Sequence, residues 1–247
     1  MSTLICTVAK VLYNKEISEN IYEMGIEGNY EAKSGQFYML KTLNEEFLLP
    51  RPISVHDVYE DRIVFLYQVA GKGTKVFSKL KEGDEIQIMG SLGNGFDVEN
   101  IKGNIAIVAG GIGIAPIRYL SKNLKECNID LYCGYRNEAY ALEEIKPNVK
   151  SINIATEHGE VGHKGYVTDL IDVEKYDLVI TCGPEIMMNK VVKMCREKGT
   201  ACLASLENRM ACGIGACLGC TCKTTEGNKR TCKEGPVFFG EDLVINE

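Results

Sequence analysis

No stretch of this chain stays apolar for the ~20 residues that a membrane-spanning helix needs, and nowhere do Lys and Arg gather into a block. The first lack argues against a helical membrane protein. The second, with a formal net charge of −6 and a pI of about 5.3, removes the electrostatic footprint of a nucleic-acid or anionic-membrane binder. Met1 to Lys10 lacks the charged-then-apolar order of a secretory signal, so a cytosolic location is expected. Histidine is scarce, and His158 and His163 sit in a glycine-containing loop far in sequence from any cysteine cluster, which assigns them no metal role.

Cysteine is the opposite case, with eleven in 247 residues. Cys6, Cys127, Cys133, Cys182, Cys195 and Cys202 are scattered singly through apolar segments and read as reduced core thiols rather than a disulfide framework. The rest gather near the end, in Arg209-Met210-Ala211-Cys212-Gly213-Ile214-Gly215-Ala216-Cys217-Leu218-Gly219-Cys220-Thr221-Cys222 and then Cys232. Cys212, Cys217 and Cys220 form C-x4-C-x2-C with a distant fourth cysteine, the plant-type spacing for a [2Fe–2S] cluster. Gly213, Gly215 and Gly219 give the loop backbone conformations closed to other residues, as wrapping closely around an inorganic core requires. Cys222 is only two residues beyond Cys220, too short a bite to reach around a second iron, so Cys232 is expected as the fourth ligand and Cys222 as a buried neighbour. The competing reading, a zinc knuckle, pairs two C-x2-C hooks, and only one exists here.

The length allows two domains and a tail. From Thr3 to about Asp97 short strands predominate: Tyr22, Met24 and Ile26 alternate, as do Ile63, Phe65, Tyr67 and Val69, with turns at Gly28-Asn29, Lys33-Ser34-Gly35 and Glu82-Gly83-Asp84. This pattern predicts a small antiparallel barrel. Within it, Gly71-Lys72-Gly73-Thr74 precedes a short helix expected over 74–80, whose free N–H groups suit a pyrophosphate, and Arg51 offers a matching guanidinium. Each signal alone is equally at home in an ordinary turn.

The middle hundred residues alternate strand and helix. An apolar run from Ile105 to Ala109 meets Gly110-Gly111-Ile112-Gly113-Ile114-Ala115-Pro116, after which Ile117, Leu120 and Leu124 share one helix face. Strands over 129–134, 151–155 and 177–181, with helices over 137–146, 166–171 and 185–198, complete a pattern that predicts a parallel sheet covered on both faces. The glycines miss the G-x-G-x-x-G register, so the turn by itself fits a dinucleotide site or any tight strand-to-helix connection.

Taken together, Arg51-Pro52-Ile53-Ser54 and Gly71-Lys72-Gly73-Thr74 resemble the flavin-binding barrel of the ferredoxin–NADP reductase superfamily. The resemblance implies that Arg51 binds the FAD phosphates and that Ser54 approaches the reactive edge of the flavin. It also places the pyrophosphate at Gly73 and Thr74, and Leu66, Tyr67 and Gln68 along the flavin ring and ribityl. Gly90-Ser91-Leu92-Gly93-Asn94-Gly95-Phe96, closing the barrel, matches the same superfamily. Its NAD(P) motifs are matched by Gly110, Gly111 and Gly113 in the first glycine turn and by Cys182-Gly183-Pro184, which implies Cys182 beside the nicotinamide. Arg136 follows the second strand of this domain, where an adenosine-ribose contact is usual, but a surface Arg at a helix start fits equally, and the residue does not decide between NAD and NADP.

The order of these motifs, with the cysteine loop and Arg230-Thr231-Cys232-Lys233-Glu234-Gly235-Pro236-Val237-Phe238, resembles the electron-transfer subunits of NAD-dependent dihydroorotate dehydrogenase over essentially the whole chain. That resemblance implies a β-barrel plus α/β fold: an antiparallel FAD-binding barrel over 1–99, a parallel-sheet NAD(P)-binding α/β domain over 100–204 and a small C-terminal [2Fe–2S] domain over 205–247. It implies FAD, a [2Fe–2S] cluster and NAD as cofactors, with Cys222 outside the ligand set. The expected partner is an FMN-containing catalytic subunit in a 2+2 heterotetramer, met through an apolar rim of Ile214, Leu218, Val237, Phe238 and Phe239. The small subunit of NAD(P)H-dependent ferredoxin oxidoreductases shares the layout but favours an Asp in the cluster loop, and this loop has none. A stand-alone flavin reductase would not need the loop, and a zinc-stabilised interaction module would not need Arg51, Ser54, Gly73 and Thr74.

Overall fold

The computed structural model describes residues 5–43 and 48–245. Strands β1 (Ile5–Ser18), β2 (Ile21–Glu27), β3 (Phe37–Thr42), β4 (Arg51–Val58), β5 (Arg62–Gln68) and β6 (Glu85–Leu92) close into an antiparallel barrel in the order β1-β2-β5-β4-β3-β6. The alternation seen in the sequence is the reason: Met24, Ile26, Ile63, Phe65 and Tyr67 all turn into the barrel core, while Ile21 and Leu66 face the other way and join the core of the following domain. Helix α1 (Lys72–Phe77) links β5 to β6. It starts two residues before the expected position because the Thr74 hydroxyl accepts from the N–H groups of Ala70 (3.0 Å) and Gly71 (3.2 Å), closing the turn earlier.

The second half is built on β7 (Gly103–Gly110), β8 (Cys127–Tyr135), β9 (Ser151–Thr156), β10 (His163–Lys164), β11 (Leu178–Cys182) and β12 (Ala201–Ser205). A hairpin of β13 (Thr221–Thr224) and β14 (Gly227–Arg230) follows, then β15 (Val237–Phe239). The sheet order is β10-β9-β8-β7-β11-β12-β15, parallel except for β15, which pairs antiparallel to β12. The cysteine-rich segment is thus stitched into the central sheet. Helix α2 (Ile117–Asn123) covers one face, where Ile117, Leu120 and Leu124 pack on Ile105, Ile107 and Leu131. Helix α3 (Glu185–Lys198) covers the other, where Val191, Val192 and Cys195 meet Ala106, Val108 and Val179.

Three expectations need correction. No helix forms over 137–146: Ala141 takes φ +56°, closed to a continuing right-handed helix, and the Tyr135 hydroxyl donates to the Tyr140 carbonyl at 2.9 Å, leaving only a 3-10 turn at Lys146–Asn148. The 166–171 segment is likewise one 3-10 turn, Val167–Asp169. Among the thiols expected in the core, Cys133, Cys182, Cys195 and Cys202 are buried, but Cys6 is exposed and Cys127 half-buried, because they sit near strand beginnings where the sheet faces solvent. No helix among the described residues is long and apolar enough to cross a membrane.

Candidate functional site

A cavity of about 850 Å³ opens where three parts of the chain meet. One wall is Arg51 to Ser54 at the start of β4 and Leu66 to Gln68 at the end of β5, brought side by side because the two strands run antiparallel. A second wall is Ile112 and Ala115, and the third is Ser205 to Met210 with Pro236. Gly73 and Thr74 do not line the cavity themselves. Gly73 lies directly behind Arg51, so close that a Cβ there would occupy the space of the guanidinium. Arg51 also donates to the Leu49 carbonyl. A guanidinium laid along a glycine turn fits a phosphate held by a charged side chain and backbone N–H groups together.

The sheet reverses its winding at β7, with β8 on one side and β11 on the other, and the crevice at such a switch point is the usual nucleotide site of α/β sheets. Here the two loops interlock backbone to backbone. A Cβ on Gly113 would come within 2.6 Å of Gly183 Cα, and one on Gly110 within 2.7 Å of Pro184 Cδ. Gly183 itself takes φ +142°. The glycines are therefore demanded by the close approach of the two loops as well as by any ligand. Cys182 is fully buried beneath them, its thiol pushed up by burial and then by the charge of Glu207. Glu207 borders the cavity and is exposed. Arg136 is exposed and 3.8 Å from the Glu157 carboxylate.

From Arg209 and Met210 the chain runs straight from the cavity wall into the cysteine loop. The thiols meet as two pairs, Cys212 with Cys217 and Cys220 with Cys232. The second pair is buried on Phe37, Met39 and Leu92 of the barrel, while Cys217 is exposed. Backbone N–H groups point at the sulfurs: Gly215 to Cys232 at 3.1 Å, Cys232 to Cys220 at 3.4 Å, Cys217 to Cys212 at 3.4 Å and Gly219 to Cys217 at 3.5 Å. Burial alone would raise Cys212, but the N–H groups of Cys217, Ile214 and Ala216 outweigh it and bring this thiol down to about 6. Burial and the neighbouring Cys220 push Cys232 up to about 12. Two cysteine pairs ringed by N–H donors suit a cluster of two irons, one pair to each.

Side-chain clips hold this loop. Arg230 donates to the Gly215 carbonyl at 3.0 Å and pairs with Glu234, whose carboxyl falls to about 2 through that contact. Asn208 reaches Cys220 O (3.2 Å) and Thr231 Oγ1 (2.7 Å). Asn94 reaches the Lys233 and Glu234 carbonyls at 3.1 and 3.2 Å. Cys222 lies on β13, half-buried against the α3 side of the sheet and touching Thr231, outside the two sulfur pairs.

The iron-sulfur cluster binding domain of dihydroorotate dehydrogenase B matches residues 207–244. The electron transfer subunit of dihydroorotate dehydrogenase B (NAD(+)) from Clostridium acetobutylicum is 53% identical over 241 residues, 98% of each chain. The chain belongs to that family. The corresponding subunit from Clostridium perfringens is 48% identical over 95% of this chain and 96% of its own. A solved chain of an NADH-dependent reduced ferredoxin–NADP oxidoreductase superposes with a TM-score of 0.87 at 30% identity, covering 96% of this chain and 90% of that one.

Within this dihydroorotate dehydrogenase B architecture, the barrel motifs, the nucleotide turn and the cysteine loop all border or adjoin one cavity. The apolar rim needs correction. Ile214, Leu218 and Phe239 are exposed, but Phe238 is buried against the α3 side of the sheet and Val237 is half-buried against the α2 side, because residues along β15 alternate between faces. Two residues, one bordering the cavity and one behind it, escaped the sequence reading. Glu207 carries no motif and is marked only by standing just before the cysteine loop, and His56 follows Arg51-Pro52-Ile53-Ser54 with no partner in sequence.

Proposed function

We propose that this chain moves electrons between NAD+ and a [2Fe–2S] cluster by way of FAD, as the electron transfer subunit of an NAD+-dependent dihydroorotate dehydrogenase. The observation that carries the reading is the single cavity walled jointly by Arg51 to Ser54, by Ile112 and Ala115, and by Arg209 and Met210. A bound flavin would exchange a hydride with nicotinamide and single electrons with the cluster, the one cofactor able to convert between the two.

In this reading Arg51, Gly73 and Thr74 hold the FAD diphosphate, and Pro52, Ile53, Ser54, Leu66, Tyr67 and Gln68 flank the flavin. Gly110, Gly111, Gly113, Cys182, Gly183 and Pro184 receive NAD, and Cys212, Cys217, Cys220 and Cys232 ligate the cluster. The functional parts run over 1–99, 100–204 and 205–247, with β15 returning to the sheet. The partner is an FMN-containing catalytic subunit, two of each per assembly, docking where Ile214 (48% exposed) and Leu218 (63% exposed) flank the exposed Cys217.

Dihydroorotate oxidation needs a base placed against the substrate in its own pocket, and the cavity here is already committed to flavin and nicotinamide. The purified chain is therefore expected to pass electrons from NADH to artificial acceptors, and to act on dihydroorotate only when an FMN subunit is added. Dihydroorotate turnover by this chain with the partner shown to be absent would overturn the proposal.

A further inference from the structure

Strand β4 contributes to the molecule twice. Its first half, Arg51 to Ser54, lines the cavity, and its second half crosses the seam between barrel and nucleotide domain. The pairing of β4 with β5 slips between Val55, opposite Phe65, and Asp57, opposite Val64, so His56 is the extra residue of a β-bulge. In a regular strand His56 and Asp57 would point to opposite faces. Here Val55 turns into the barrel core, while His56 and Asp57 both reach the nucleotide domain, at 1% and 2% exposure.

The two side chains grip different things. Asp57 takes α2 by its side chains, 3.2 Å from Arg118 Nε and 3.0 Å from Lys122 Nζ. His56 takes the backbone of the nucleotide turn, with Nδ1 2.6 Å from the Ala115 carbonyl. A carbonyl only accepts, so Nδ1 carries the proton. Ala115 borders the cavity, and its own N–H closes the turn onto Ile112 O at 2.9 Å. Glu23 of β2 is 3.9 Å from His56 Nε2, beyond hydrogen-bond reach, and is 3.5 Å from Arg118 Nη1. The hydrogen bond to Ala115 therefore runs directly from the strand bearing the cavity residues to the turn that faces them.

We propose that His56 is a positioning residue, which fixes the Gly111 to Ala115 turn against the flavin cavity and so sets where the nicotinamide nucleotide is held. This rests on the reading of the cavity and turn as the flavin and NAD sites. It goes beyond that reading in giving a residue that touches neither ligand control over nucleotide affinity. Misplacement of such a turn by a fraction of an ångström is enough to weaken a site built on close backbone contacts.

The test is NAD+ affinity, titrated through the visible flavin spectrum of the purified holoprotein, with FAD content, iron content and Tm measured alongside. His56→Leu is expected to weaken NAD+ binding about tenfold, the loss of one buried hydrogen bond, with FAD and iron retained. His56→Asn, whose amide N–H falls where Nδ1–H was, is expected to bind within about twofold of wild type. Asp57→Asn is expected to lower Tm while leaving NAD+ affinity within about twofold. If His56→Leu does not fold, His56→Gln, whose amide falls where Nε2 was, replaces it with the same expectation. Wild-type affinity in the Leu or Gln variant, failure of Asn to do better than either, or an equal loss in Asp57→Asn would overturn the inference. A wild-type protein that holds flavin but binds no NAD+ would overturn the functional reading itself and the inference with it.

Discussion

The barrel wall of the cavity and the cysteine loop are neighbours built by different physics. Arg51 to Ser54 are laddered to β3 and Leu66 to Gln68 to β2, so their places follow from those ladders and from a barrel core of Met24, Ile26, Ile63 and Phe65 behind them. The loop from Cys212 to Cys220 has no helix or strand. Its shape comes from left-handed residues, Gly213 at φ +71°, Gly215 at +81° and Leu218 at +61°, and from clips by Arg230 and Asn208, while Asn94 holds the segment after Cys232. A Cβ on Gly213 would come within 2.8 Å of Met39 Cγ, so even the seat of the loop on the barrel depends on a missing side chain. A ladder spreads the loss of one side chain over many backbone bonds. A clipped loop does not, and its cluster ties the clips together.

The sharpest way to break this contrast is at Cys232, the proposed fourth ligand. Cys232→Ser is expected to lose iron altogether, since Cys220 is left without its buried partner and the loop without its second anchor. Cys222→Ser, on the regular strand β13, is expected to keep its iron. Iron and sulfide analysis of the two variants checks this, and equal loss in both would remove the distinction between loop and strand. The corresponding substitution in the cavity is Arg51→Ala. It is expected to keep the barrel folded and weaken FAD retention by about 2 kcal/mol, more than tenfold in affinity. Unchanged FAD content after extensive dialysis would count against the assignment of Arg51.

The same contrast explains what could be read from the sequence. Period-2 alternation at Met24 and Ile26, and at Ile63, Phe65 and Tyr67, is a local signal of which face is buried, and the barrel was legible from it. So was α3, whose stripe of Val191 and Met194 ends at Gly199, φ +70°, a left-handed stop. The cysteine spacing marked the loop because metal ligation leaves a pattern that does not depend on the rest of the fold. The 137–146 segment departs from its helical pattern because Tyr135, buried at the end of β8, holds Tyr140 by its hydroxyl and by ring contact, centroids 4.9 Å apart, and Ala141 then takes a left-handed turn. Strand β15 has three residues, and its pairing to β12 is fixed only when the chain returns from the cysteine loop. Glu207 and His56 matter through what folding sets beside them, Cys182 and Ala115, some 25 and 59 positions away.

The smallest expected effect tests the one place where the cavity wall relies on a side-chain clip, as the cysteine loop does. Burial, seconded by the charge of Arg118, holds His56 below its ordinary value against the opposing pull of the Ala115 carbonyl, Glu23 and Asp57. The unfolded chain takes up a proton at this position as pH falls through about 6.5, and the folded chain resists doing so. Stability from neutral His56 is therefore fully present above about pH 6.5 and is lost as pH falls below it. Asn at this position does not titrate, while Glu23, Asp57, Arg118, Lys122 and Tyr59, whose hydroxyl accepts from Arg118 at 2.8 Å, are common to both proteins. The stability of wild type relative to His56→Asn is thus expected to be flat above about pH 7 and to decline below about 6.5, by at most about 1.4 kcal/mol per pH unit. Thermal unfolding of both proteins from about pH 8 to about pH 5.5 measures it. A relative stability that rises on acidification would mean that His56 is protonated in the folded protein, its Nε2 proton facing Glu23, and the bulge would then hold an ion pair rather than a neutral clip.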